Sequence, residues 1–377
     1  MTLACPSQSE LERMGNRMSR RRVGARILVA LMLGTLGVAC GAVPEATPTL
    51  PGKIVLYSWA EYLPAQILEA FTAETGIAVE YRSYASQDEA AASLRAGATY
   101  DLVLVDSVYI PSLIDDGLLA ELDYRNIPNF KNVSANFRDL VFDPGNRYSI
   151  PFHWGTSGLL VRTDLVKNPV EHWVDLWDPE VGGRVAVWPI QHSLVPIALL
   201  ADGHEADSVD PNDLQDAAAR LGWLRDHAIL VANEEATIIP YLVSGRAVAA
   251  YGWAYDADQA ARQSEPIAYI LPSEGTILWQ DLFVIPASSA NQPGAEQFLD
   301  FILRPEISAR IIEESRYAMA NDAALDLLDP ATRDNPLIFP PPADLVNATS
   351  LPPRSAEGQA LWNQIWAETI GSVEAGS

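Results

Sequence analysis

Residues 53 to 105 alternate strand and helix signals in an order that few architectures accept. Lys53-Ile-Val-Leu-Tyr-Ser58 is rich in β-formers. Pro64 opens a helical stretch with Ile67, Leu68 and Phe71 on one face, and Gly76 closes it. Ile77 to Tyr84 alternates as a strand, and Ser86-Gln-Asp-Glu89 is a capping box for a second helix ending near Gly97. Tyr100-Asp-Leu-Val-Leu-Val105 is a short apolar run, the mark of a strand covered on both faces. Strand–helix–strand–helix–strand predicts an α/β fold with a parallel sheet flanked by helices.

A length of 377 residues allows about two such units. Tyr148-Ser-Ile-Pro-Phe-His-Trp-Gly155 is extended and Pro-bearing, which fits a crossing between lobes. A second α/β pattern follows, with strands at 184–188 and 247–251 and helices at 211–226 and 238–245. Residues 278–285 return to strand character, and a helix at 295–303 precedes Arg304-Pro305. The expected division is 53–153 plus 276–320 for lobe 1 and 154–275 plus 321–377 for lobe 2, each a mainly parallel sheet, with hinge crossings and a ligand cleft between them. In such folds ligands sit at the carboxyl ends of strands.

The N-terminus reads as an export signal. Ser19-Arg-Arg-Arg22 precedes an apolar run from Ile27 to Val38 that ends at Ala39-Cys40-Gly41. Twelve apolar residues are too few to span a bilayer. Residues 1–39 are therefore expected to be a signal peptide, Cys40 a lipidated residue, and 40–52 a tether; simple cleavage is the alternative. Removing 1–39 takes six Arg and two Glu and leaves a net charge of −28. That balance argues against nucleic acid, because duplex binding draws on Lys and Arg. Cys5 and Cys40 are the only cysteines, so no disulfide framework or Cys-based zinc site is expected in the body. The expected location is periplasmic or cell-surface, with membrane contact through a lipid anchor only, and the expected state is monomeric.

No catalytic motif stands out. The five His are scattered, and there is no G-x-S-x-G elbow, P-loop or G-x-G-x-x-G. Neither a metal nor a cofactor is expected. The signal lies instead in aromatics beside carboxylates after strands: Trp59-Ala-Glu61-Tyr62, Asp106, Trp253-Ala-Tyr-Asp256, Trp279-Gln-Asp281, and Tyr317 after a helix. Taken singly, each ring is more often core, and each acid a helix cap or solvated surface; Asp256 in particular is placed to cap the helix after it. Taken together, rings attract ammonium and pack on methylene, and a carboxylate bonds ammonium with about 1.5–3 kcal/mol. An elongated organic cation fits best. A mono-amine, an amino acid, iron on Tyr251 and Tyr255, and an exported enzyme are the other readings.

At these residues the chain resembles the bacterial spermidine/putrescine-binding protein family, the solute receptors of polyamine ABC transporters. The likeness runs from about Lys53 to Ile370. It is carried by Leu56-Tyr-Ser-Trp-Ala-Glu-Tyr62, Phe71-Thr-Ala-Glu-Thr-Gly76, Tyr100-Asp-Leu-Val103, Tyr148-Ser-Ile-Pro151 with Trp154-Gly155, Asp175-Leu-Trp-Asp-Pro-Glu180, Gly275 to Asp281 and Phe301-Ile-Leu-Arg-Pro305. The resemblance implies a two-lobed receptor, not an enzyme, that closes on a polyamine and hands it to an ABC permease. It implies that Trp59 and Tyr62 line the first lobe, Trp253 stacks on the ligand stem, Asp281 beside Trp279 holds an amino group, and Tyr317 adds a wall. Glu61 and Asp256 fall where putrescine-preferring members carry an acid, and Asp106 where a small hydroxyl residue is usual. The chain departs from the family after Trp188, where Pro189-Ile-Gln-His-Ser193 has no carboxylate, at Val108 in place of a Tyr, and at Leu351 in place of a Gln. The second ammonium site is left open by these departures.

Overall fold

The computed structural model describes residues 52–60, 62–181, 183–231, 237–263 and 266–371. Cys40 and Glu61, both singled out above, lie outside them.

The first half folds as its signals require. β1 (Lys53–Trp59) lies between β2 (Ala78–Tyr84) and β3 (Leu102–Asp106), parallel to both. Pro64 precedes α1 (Ala65–Thr75), where a fixed φ is an asset, and Gly76 ends it with φ 74°, a left-handed turn that glycine makes without strain. Ser86 caps α2 (Gln87–Arg95) by accepting from the Glu89 N–H at 3.1 Å, and the Glu89 carboxylate reaches back to the Ala85 N–H at 2.8 Å. All five residues of β3 are buried, as its apolar run demands.

The chain then enters β4 (Ser149–Arg162), the extended crossing. Up to Thr156 it pairs with β9 (Leu278–Val284), and from Ser157 onward with β7 (Ala249–Trp253). One strand thus closes one half of the sheet and opens the other. The full order is β2-β1-β3-β9-β4-β7-β5-β6, with β5 at Val185–Val187 and β6 at Ile229–Leu230; β8 (Ile267–Ile270) and β10 (Ala318–Met319) also pair with β4. The outer strands are parallel, as the βαβ pattern dictates. The inner strands β4 and β9 cross in opposite directions, so every pairing at the centre is antiparallel and each half is a mixed sheet. Gly155 and Gly158 let this crossing be approached closely: a Cβ at Gly155 would stand 2.5 Å from the Trp279 ring, and one at Gly158 would stand 2.7 Å from the Tyr269 ring.

Two cores follow from the two halves. One joins Ile54, Leu56, Phe71, Leu104, Phe298 and Ile312, and the other joins Leu159, Trp173, Leu194, Leu221, Tyr251 and Trp362. Each such buried side chain contributes about 1.5–3 kcal/mol of transfer free energy. Residues 321–339, grouped on sequence with lobe 2, place Ala324, Leu328 and Ile338 in the first core. Two long helices lay hidden in the sequence, besides the short α3 (Ile110–Asp115) and α10 (Pro330–Arg333). α4 (Gln191–Ala201) carries Pro196 in its interior, where a breaker is expected. α11 (Ala356–Glu368) packs Trp362 into the second core. The remaining helices are α5 (Pro211–His227), α6 (Ile239–Val243), α7 (Ala254–Ala261), α8 (Gln292–Ile302) and α9 (Pro305–Ser315). Among the described residues, no helix is long and apolar enough to cross a membrane.

Candidate functional site

Strand periodicity sets the first part of the site. Trp279 and Asp281 are two apart on β9, hence on one face. Asp281 is the register partner of Asp106 at the end of β3, so two buried carboxyl-bearing residues meet across an antiparallel pair. The Tyr62 hydroxyl, from the turn before α1, donates to Asp281 Oδ2 at 2.8 Å. Gln87 opens α2 and ties the acids together: its Nε2 donates to Asp281 Oδ1 at 3.2 Å, and its Oε1 accepts the Asp106 N–H at 3.1 Å. Asp106 Oδ1 also accepts from Ser107 Oγ at 3.1 Å and the Val108 N–H at 3.0 Å. Among the described residues, no basic side chain bonds either carboxylate.

The electrostatic consequence is direct. Burial, then the field of Asp106, pushes Asp281 up to about 8, although the Tyr62 hydrogen bond pulls it down. Burial also raises Asp106, against the fields of His192 and Arg354. A neighbouring cation would favour the charged form of such a buried carboxyl.

The rings gather around Tyr317, which follows α9. Tyr255 stacks on it at 4.4 Å and 13°, Tyr62 is 4.8 Å away, and Trp279 meets it edge-on at 6.0 Å. The Tyr317 phenol is raised first by burial and then by Asp256, Tyr255 and Asp281, so it stands within the field of both acids. Asp256 sits in the first turn of α7, and its Oδ2 accepts the Trp253 N–H at 3.0 Å. It is a helix cap, as its position allows, and also a buried acid that desolvation pushes up to about 6. Trp253 stacks on Trp188 at 5.8 Å and 25°.

The structure therefore brings Tyr62, Asp106, Trp279, Asp281 and Tyr317 together, and sets Asp256 and Trp253 beside them at the end of β7. Trp59 stands one layer away: it packs on Tyr84 at 4.8 Å, and Tyr84 feels Asp281 and Asp106. Tyr251, one of the two tyrosines considered for iron, spends its hydroxyl on Ser157 Oγ at 3.0 Å inside the second core. Gln87 escaped sequence reasoning because a glutamine inside a capping box carries no signal of its own, and Tyr255 entered it only as a candidate iron ligand. His153 contacts Tyr62 and Tyr317, yet burial pushes it down to about 3, so it serves as a neutral packing ring.

The comparisons with known proteins bear on the family and the fold. Residues 66–340 match the model of the bacterial extracellular solute-binding protein family. The spermidine/putrescine-binding periplasmic protein of Escherichia coli is 32% identical over 290 residues, covering 76% of this chain and 83% of that protein. The putrescine-binding periplasmic protein of the same organism is 29% identical over 335 residues, covering 83% of this chain and 89% of that protein. Among solved structures, the substrate-binding protein of a spermidine/putrescine ABC transporter from Streptococcus pneumoniae superposes with a TM-score of 0.73 at 27% identity, over 84% of this chain and 98% of that one. With its two-lobed α/β body and its buried acids among rings, this chain belongs to the bacterial extracellular solute-binding protein family.

Proposed function

We propose that the protein is an extracytoplasmic receptor that captures a polyamine of the putrescine or spermidine kind between its lobes and delivers it to an ABC permease, without chemical turnover. The observation that carries this reading is the pair Asp281 and Asp256, two buried acids with no basic side chain bonded to either among the described residues, flanking the ring cluster at Tyr317. Two acids call for a ligand with two cationic centres, and the rings supply faces for the methylenes between them. The relatives described above, which bind spermidine and putrescine, support the same ligand class. Lobe 1 comprises 53–153 and 276–320, and lobe 2 comprises 154–275 and 321–377; on packing, 321–339 goes better with lobe 1. Lipidation at Cys40 would hold the body at the membrane, and the unit acts as a monomer. Trp59 is proposed as a first-lobe ring and Glu61 as a further acid for the ligand.

The test is titration with putrescine and spermidine at micromolar concentration, read by tryptophan fluorescence and melting temperature. The expected result is saturable quenching or enhancement and a higher melting temperature. No response in either readout to either amine would sink the reading.

A further inference from the structure

Resting on the polyamine reading above, we infer that Arg354, with His192, closes the Asp106 end of the cleft to ammonium, so that the receptor takes short diamines in preference to triamines. Three buried acids line the site, and the chain treats them differently. Asp281 and Asp256 receive only neutral donors: a phenol and an amide for the first, a backbone N–H for the second. Asp106 has its own hydroxyl and N–H donors, and it alone lies in the fields of a guanidinium and an imidazole.

The wall beside the turn that follows Asp106 is built, not incidental: Val108 packs with Leu351, and Tyr109 with His192. Arg354 lies 3.8 Å over the Trp362 ring and donates Nε to Gln359 Oε1 at 3.1 Å. Gln359, on α11, in turn donates to Gln191 Oε1 at 3.0 Å, which fastens this wall to the start of α4. His192 is the next residue of α4 and meets the Tyr109 ring edge-on at 5.9 Å. The Nη1 of Arg354 is buried with no hydrogen-bond partner. Asp207 also faces Arg354 and supports its charge; Asp88, which takes the Tyr109 hydroxyl at 2.7 Å, faces His192, but burial holds that imidazole below its ordinary range, so it fills the wall as a neutral ring and the positive charge there is that of Arg354.

Charge matching then fixes the length of the guest. A dication satisfies Asp281 and Asp256. A third ammonium would have to enter beside a guanidinium in a medium of low dielectric, where like charges repel strongly. The residues after Trp188, which carry no acid, offer it no other partner.

The test is calorimetric titration of the full chain with putrescine, cadaverine, spermidine and 4-aminobutyrate, repeated on Arg354→Gln and Arg354→Lys. Spermidine is expected to bind at least ~tenfold more weakly than putrescine. Arg354→Gln should narrow that gap by ~tenfold, through tighter spermidine binding, and Arg354→Lys should keep it. Equal affinity for putrescine and spermidine in the unaltered chain, an unchanged ratio in Arg354→Gln, or Arg354→Lys behaving as Arg354→Gln would each overturn the inference while leaving the polyamine reading intact. Binding of 4-aminobutyrate in place of every amine, or no binding at all, overturns the polyamine reading itself.

Discussion

Asp281 is raised to about 8 because the folded chain buries it beside Asp106, and this has a signed consequence for pH. Between about pH 4 and about pH 8 the unliganded fold holds a proton that the unfolded chain has released, so stability falls as pH rises through that window. Ammonium needs the ionised form, so affinity for a diamine rises across the same window. Buried neutral His153 acts in the opposite sense below about pH 6.5, so melting curves and calorimetry from about pH 6.5 to about pH 8 should show the two trends of Asp281 in opposite directions. Asp281→Asn should flatten the pH dependence of the empty protein's melting temperature above about pH 6.5 and weaken diamine binding by about 2 kcal/mol or more. Gly155 is the second residue-scale test. An added methyl must displace the Trp279 indole, so Gly155→Ala should cost roughly 1–3 kcal/mol of stability and blunt the fluorescence response to ligand.

At the scale of elements, the joint between α7 and the segment after α9 is a latch. Asp258 on α7 binds Arg316 in two places, Oδ1 to Nη2 at 3.0 Å and Oδ2 to Nε at 3.2 Å, and accepts from Asn335 Nδ2 at 2.9 Å. Burial works against the charged form of Asp258, but Arg316, Arg262 and Asn335 outweigh it and hold the acid below its usual range. The contact joins an element of the second half to elements packed on the first, and none of its members enters the ring cluster. Arg316→Gln should therefore weaken ligand binding roughly tenfold through the closed population alone. Small-angle scattering of the liganded variant should show a more open particle than the unaltered protein. Most elements were legible in the sequence where local chemistry names them: Gly76, Ser86 and the apolar run of β3 each stand where the structure uses them. α4 was not, because Pro196 reads as a breaker while tertiary packing of Leu194, Val195 and Ile197 overrides it. The acids of the site were legible through the strands that end at them. The roles of Gln87 and Arg354 were not, because each acts through neighbours remote in sequence.

On the scale of the whole molecule, the full chain carries a net charge of −24, a sign that favours encounter with cations. Stopped-flow association with a diamine should slow as salt increases while dissociation changes little, because screening acts on the encounter more than on the buried contacts. The two halves are joined through β4, which pairs with β9 up to Thr156 and with β7 from Ser157. Side chains alternate along that strand, so a single residue inserted between Thr156 and Ser157 turns every later position to the opposite face. Each half keeps its own core and can still assemble. Asp256 and Asp281 would then no longer both reach Tyr317, and such an insertion is expected to leave a folded protein blind to its solute by a shift of one pleat.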